Sequence, residues 1–193
     1  MVAGLPPDGP PAARGSWPRL FVAVWPSPAA VATLATALER PAVEGLRWTT
    51  PDQWHVTLRF LGAADPTPVA EALAPVAEGA GTPGGGTRSA VVAVAGPAVG
   101  HFGRQVLHLP VAGLDDLAAA VAAATTAWGP GDHPFRGHLT LARARRRARV
   151  DLGPWTAALL AVSWEVRELT LVASDTTAGG ARYTILHRWP LDG

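Results

Sequence analysis

Apolar positions along this chain alternate between two spacings, and the spacing marks the elements. Residues 19–25, RLFVAVW, form a β-branched and aromatic run that predicts a buried strand. Ser27 and Pro28 follow as an N-cap and a first-turn proline. Val31, Leu34 and Leu38 then recur at helical spacing, which predicts a helix over 28–40. After an irregular stretch with a short extended piece at 46–48, period two returns over 54–61 and stops at Gly62. Val69, Leu73 and Val76 predict a second helix over 68–80. Beyond it the pattern predicts strands at 89–95 and 105–109 around a turn at Gly100 and Gly103. An alanine-rich helix at 114–128, a strand at 137–142 and a short helix at 154–160 come next. A strand at 165–173 and a last strand at 182–189 close the chain, with a hairpin turn over 175–180. This order predicts an α+β fold with mixed or antiparallel sheets and helices outside. No glycine fingerprint follows the first strand, so a doubly wound nucleotide fold is not expected. The glycine-rich stretch 79–86 lacks a GK[ST] ending and a following helix, and reads as a connection rather than a phosphate loop.

Composition narrows the picture. With 193 residues, 48% of them hydrophobic, the chain can fill one sizeable core. Residues 1–17, MVAGLPPDGPPAARGSW, lack the basic start and apolar stretch of a signal peptide. They read as a flexible Pro/Gly-rich leader before a single domain at 18–193, in a cytoplasmic protein. No apolar run approaches the ~20 residues of a membrane span. The absence of cysteine excludes disulfides, thiolate metal sites and a cysteine nucleophile. A net charge of +1 would not recruit nucleic acid by bulk electrostatics, but the distribution is uneven. Every basic residue is arginine, and six of the sixteen fall between Arg136 and Arg149. Guanidinium groups suit bidentate phosphate contacts.

One short internal repeat carries the chemistry. His55-Val56-Thr57-Leu58 recurs as His138-Leu139-Thr140-Leu141, each copy in a predicted strand. Residues i and i+2 of a strand share a face, so each copy presents an imidazole beside a hydroxyl and turns its aliphatics to the core. A lone strand histidine is usually structural; a repeated His-aliphatic-Thr-Leu is not expected by chance. Two imidazoles on one cleft suit acid–base work near neutral pH, one accepting a proton while the other donates. The residues alone leave open which is which. The threonines can donate to anionic oxygens between them. Arg143 stands five residues after His138, a spacing that puts it on the opposite face of an ideal strand. It joins the site only if the strand ends or twists after Leu141.

These segments resemble the RNA 2′,3′-cyclic phosphodiesterases, also called 2′-5′ RNA ligases, of the two-histidine phosphoesterases. The resemblance runs from RLFVAVWPSP through RWTTPDQWHVTLRFLG, GHFG and PFRGHLTLARAR to LTLVASDTTAGGARYTILHRWPL. HVTLRFLG and HLTLARAR match the family's two HXTX motifs, and Arg143 matches its arginine. Gly137 departs from the proline often found before the second histidine. The resemblance implies a bilobal fold of two sheets with pseudo-twofold symmetry around a central groove. It implies opening of a terminal 2′,3′-cyclic phosphate on RNA to a 2′-phosphomonoester, without metal or nucleotide cofactor; a monomer is expected. By the same resemblance His138 is the base, His55 is the acid, and Thr57, Thr140 and Arg143 hold the phosphate. Related chemistries are 2′-5′ phosphodiester hydrolysis or ligation; a non-catalytic RNA-end-binding module would have lost a motif residue.

Other residues carry weaker signals. His101, His108, His133 and His187, even with Asp132 or Asp175, match no metal spacing. Ser163 and Ser174 lack a nucleophile elbow. Phe60 and Trp54 flank the first motif as candidates for stacking on a base; by strand parity Trp54 belongs to the core. Arg145, Arg146, Arg147 and Arg149 fit either RNA steering or a solvated loop.

Overall fold

The computed structural model describes residues 17–79, 90–129, 134–145, 148–177 and 180–191. Residues 1–16 of the expected leader at 1–17, most of the glycine-rich connection, Asp132, His133, Arg146, Arg147 and residues 178–179 lie outside them.

The first strand, β1 (Arg19–Val24), alternates between two buried layers. Leu20, Val22 and Val24 join the main core, whereas Phe21 and Ala23 pack with Val172 on the opposite side, under Trp25, Tyr183 and Ile185. The helix α1 (Pro28–Ala37) starts where the sequence places it, with the Ser27 hydroxyl accepting from the Ala30 amide at 3.2 Å. It ends short of residue 40, with Leu38 leaving helical geometry at the cap. The helix α2 (Pro66–Ala77) begins two residues earlier than its apolar pattern, because the Asp65 carboxylate caps it through the Thr67 amide. The strands β2 (Leu46–Trp48), β3 (Val56–Ala63), β4 (Val92–Ala95) and β6 (Val106–Ala112) and the helix α3 (Asp115–Ala124) follow expectation to within a few residues. So do β7 (His138–Ala144), α4 (Gly153–Thr156), β9 (Glu168–Thr177) and β10 (Gly180–Pro190). Two strands form where the pattern predicts a turn or no element: β5 (Gly100–Phe102) and β8 (Val162–Glu165). Both are short and take their identity from the neighbour they pair with, β6 and β4. Among the described residues no helix is long and apolar enough to cross a membrane.

Two sheets were expected; the described strands instead join into one ten-stranded sheet, in the order β10-β9-β1-β3-β7-β6-β4-β8, with β2 on β7 and β5 on β6. Its pairings are antiparallel, which removes the parallel component of a mixed sheet. The sheet's middle is its thinnest point. Strands β3 and β7 meet through the single pair Val56 and Leu139, the aliphatic residues inside the two repeated motifs. Both are fully buried, so the hydrophobic core itself pins the motifs to each other.

Candidate active site

The pair Val56–Leu139 stands between His55 and Thr57 on one side and His138 and Thr140 on the other, so the two motifs meet at this seam. All four side chains line one cleft of about 990 Å³, together with Arg143, Arg47, Phe60 and Tyr183.

The two histidines are held in the same way. Nδ1 of His55 lies 2.8 Å from the Gln53 carbonyl oxygen, and Nδ1 of His138 lies 2.7 Å from the Arg136 carbonyl oxygen. A carbonyl only accepts, so each Nδ1 carries a proton and donates it. In both rings this leaves Nε2 for the substrate. The Gln53 carbonyl is itself fixed by a short 3₁₀ turn at Pro51–Gln53, whose Gln53 side chain accepts from the Thr50 amide and donates to Ala181.

Arg143 reaches the cleft by a β-bulge. On β6, Leu107 pairs with Ala142 and His108 with Thr140, so Leu141 is an extra residue and the side-chain parity reverses after it. Leu141 and Ala142 are both buried, and Arg143 returns to the face of His138 and Thr140, its Nη2 3.5 Å from Thr140 Oγ1. The first motif bulges at the equivalent place. Val22 pairs with Arg59 and Ala23 with Thr57, leaving Leu58 over. Phe60, five residues after His55, thereby takes the position that Arg143 takes after His138. It is 60% exposed on the cleft wall.

Thr49, missed in the sequence, ties the motifs together. Its buried hydroxyl lies 2.7 and 2.8 Å from the Thr140 and Leu141 carbonyl oxygens and accepts from Trp54 Nε1 at 3.0 Å. Its amide also donates to Leu141 at 2.9 Å. Trp54 is buried as its parity required, so the residue before His55 braces the bulge after Thr140. No sequence signal marks this threonine, whose partners are backbone oxygens 91 and 92 residues away. Tyr183, the chain's one tyrosine, is equally unforeseen; its ring meets His55 edge-on at 4.9 Å.

Gly137, the departure before the second histidine, sits against β6. Its carbonyl accepts from the Val111 amide at 2.8 Å, and a Cβ there would collide with the Val111 carbonyl oxygen.

Burial sets the proton affinities. His55, walled by Phe21, Trp25 and Tyr183, is pushed down to about 4, chiefly by desolvation and further by Arg143 and His138. His138 is also lowered, by desolvation and then Arg143, against the raising effect of its Arg136 hydrogen bond. Both imidazoles are thus neutral at pH 7 in the open cleft. His108, set aside in the sequence as structural, is 7% exposed, stacks on Phe102 at 3.9 Å and meets His138 edge-on at 5.6 Å. Burial, then His138 and His101, push it down to about 4. It is a neutral wall beside His138. His187 instead stacks on Trp189. No group of three metal-ligating side chains occurs among the described residues.

The family model of the 2′-5′ RNA ligase superfamily matches residues 22–178. The crystal structure of TT0787 of Thermus thermophilus is similar at 24% identity and a TM-score of 0.70, covering 91% of this chain and 98% of that one. A crystal structure of a phosphoesterase is 26% identical with a TM-score of 0.68, over 92% and 100% of the two chains. E. coli LigT in its apo form is 26% identical with a TM-score of 0.63, again over 92% and 100%. LigT also has crystal structures with 3′-AMP, with ATP and with phosphate. None of the curated proteins matches. With both motifs inside the matched span, the chain belongs to the 2′-5′ RNA ligase superfamily.

Proposed function

We propose that the cleft hydrolyses terminal 2′,3′-cyclic phosphates on RNA to 2′-phosphomonoester ends. The observation that carries this reading is the matched pair of imidazoles on one cleft, each with Nδ1 committed to a backbone carbonyl. Nε2 of His138 takes a proton from water as its oxygen attacks phosphorus; the P–O3′ bond breaks, and Nε2 of His55 protonates O3′. The proton then passes from His138 to solvent and is restored to His55. Thr57, Thr140 and Arg143 donate to the non-bridging oxygens and stabilise the charge that grows on them. His55 needs a proton that the open cleft disfavours, and the anionic phosphodiester supplies the attraction that brings it. The equivalence of Phe60 and Arg143 divides the substrate: guanidinium for phosphate, phenyl ring for the terminal base.

The five residues come from one chain, so the reaction asks for no second subunit, and the reading is of a monomer acting without metal in the cytoplasm. A ribose 5′-hydroxyl in place of water would form a 2′-5′ linkage by the same proton transfers. The test is to incubate the protein with a cyclic-phosphate-ended oligonucleotide in EDTA and identify the product. A 2′-phosphomonoester formed in EDTA is expected. A 3′-phosphomonoester, or activity abolished by EDTA and restored by a divalent ion, contradicts the proposal.

A further inference from the structure

A second groove, of about 670 Å³, opens beside the cleft and is lined by Trp25, Asp52, Gln53, Arg182, Tyr183 and Arg188. Gln53 and Tyr183 line both spaces, so the groove begins where the wall around His55 ends. Its contents match the parts of a nucleotide. Trp25 and Tyr183 supply two aromatic rings, 5.2 and 4.9 Å from the His55 ring. The indole is anchored from behind, Nε1 donating to Thr170 Oγ1 at 3.0 Å, so it is ordered before any base arrives. Arg188 is already paired with Glu168 at 2.7 Å. Arg182 is exposed and has no hydrogen-bond or ion-pair partner among the described residues, which leaves its guanidinium for a phosphate. Asp52, exposed, accepts hydrogen bonds as a ribose hydroxyl requires.

Phe60 and Trp25 flank His55 from two directions. Phe60 reaches it through Phe21, whose ring is 6.1 Å from Phe60 and 5.0 Å from His55; Trp25 touches it directly. Aromatic platforms interleaved with arginine are how proteins hold single-stranded nucleic acid. A rival basic groove, lined by His101, Arg104, Arg149 and Asp151, contains no tryptophan, tyrosine or phenylalanine and shares no lining residue with the cleft.

Resting on the reaction proposed above, we infer that the Trp25–Arg182 groove binds the penultimate nucleotide of the RNA, its base on the rings and its phosphate on Arg182. The preferred substrate is then an oligonucleotide end rather than a mononucleotide.

The experiment compares kcat/KM for uridine 2′,3′-cyclic phosphate with that for a uridine dinucleotide carrying the same cyclic end. The dinucleotide should be favoured about ten-fold, the scale of one base–aromatic stack. Arg182→Ala should reduce that ratio about three-fold, and Arg182→Ala with Trp25→Leu should bring it near one. Arg104→Ala with Arg149→Ala should preserve it. A wild-type ratio near one overturns the inference, as does a ratio that survives in the Trp25/Arg182 double variant or is lost in the Arg104/Arg149 variant. Calorimetry on the His138→Ala protein, with 2′-phosphate-ended mono- and dinucleotides, reads the same preference without turnover. If neither cyclic phosphate is hydrolysed, the proposed reaction fails, and the calorimetric preference still decides whether the groove takes a second nucleotide.

Discussion

Arg143 shows at the scale of one residue what period-two reasoning reaches and where it stops. His55, Thr57, His138 and Thr140 share a face because strand geometry gives i and i+2 no other choice, and the structure places all four on one cleft. The same rule sends Arg143 to the wrong side. What corrects it is the extra residue Leu141, held by hydrogen bonds from a threonine 92 positions earlier. A long-range backbone contact leaves no trace in a local pattern. The corrected position gives a sharp expectation: Arg143→Ala should lower turnover ~100–1,000-fold, as loss of one oxyanion donor does, while the protein stays folded. Steady-state kinetics with a melting curve checks this; a near-normal rate would remove Arg143 from the site.

At the scale of elements, the motif strands are positioned by neighbours whose own sequences say little. The order of strands and helices is legible because apolar spacing changes with each element. The short strands β5 and β8 are not, since a three- or four-residue strand exists through its partner. Neither is the brace formed by Trp54, Thr49 and the β7 bulge, where buried polar groups satisfy one another across the seam. Thr49→Val keeps the shape but removes the hydroxyl, leaving two buried carbonyl oxygens and the Trp54 indole without that partner. The expected cost is about 1–3 kcal/mol of stability, together with reduced kcat as Arg143 loses its fixed position. Denaturant unfolding and kinetics measure the two effects; unchanged kcat in a destabilised protein would show that the brace does not position the site.

For the whole molecule, the price of an enclosed site appears in acid. His55 and His108 titrate near 4 when folded and near 6.5 when unfolded, so between those values the unfolded chain binds protons that the native state refuses. Their contribution to stability is present above pH 6.5 and drains away as pH falls toward 4. His108→Phe, which retains a flat ring beside Phe102 and cannot titrate, should flatten the loss of unfolding free energy between pH 6.5 and 4. Parallel curves for the two proteins would refute that assignment. The one continuous sheet also bears on the proposed reaction: its single-pair seam at Val56–Leu139 brings the two repeated motifs, with His55 and His138, together. If they act in one step, neither can replace the other. The most direct measurement is turnover of a cyclic-phosphate-ended RNA by His55→Ala, His138→Ala and the double variant. Each single change should abolish nearly all turnover, and the double should be little worse than either. A folded single variant that keeps wild-type turnover would contradict the two-imidazole mechanism.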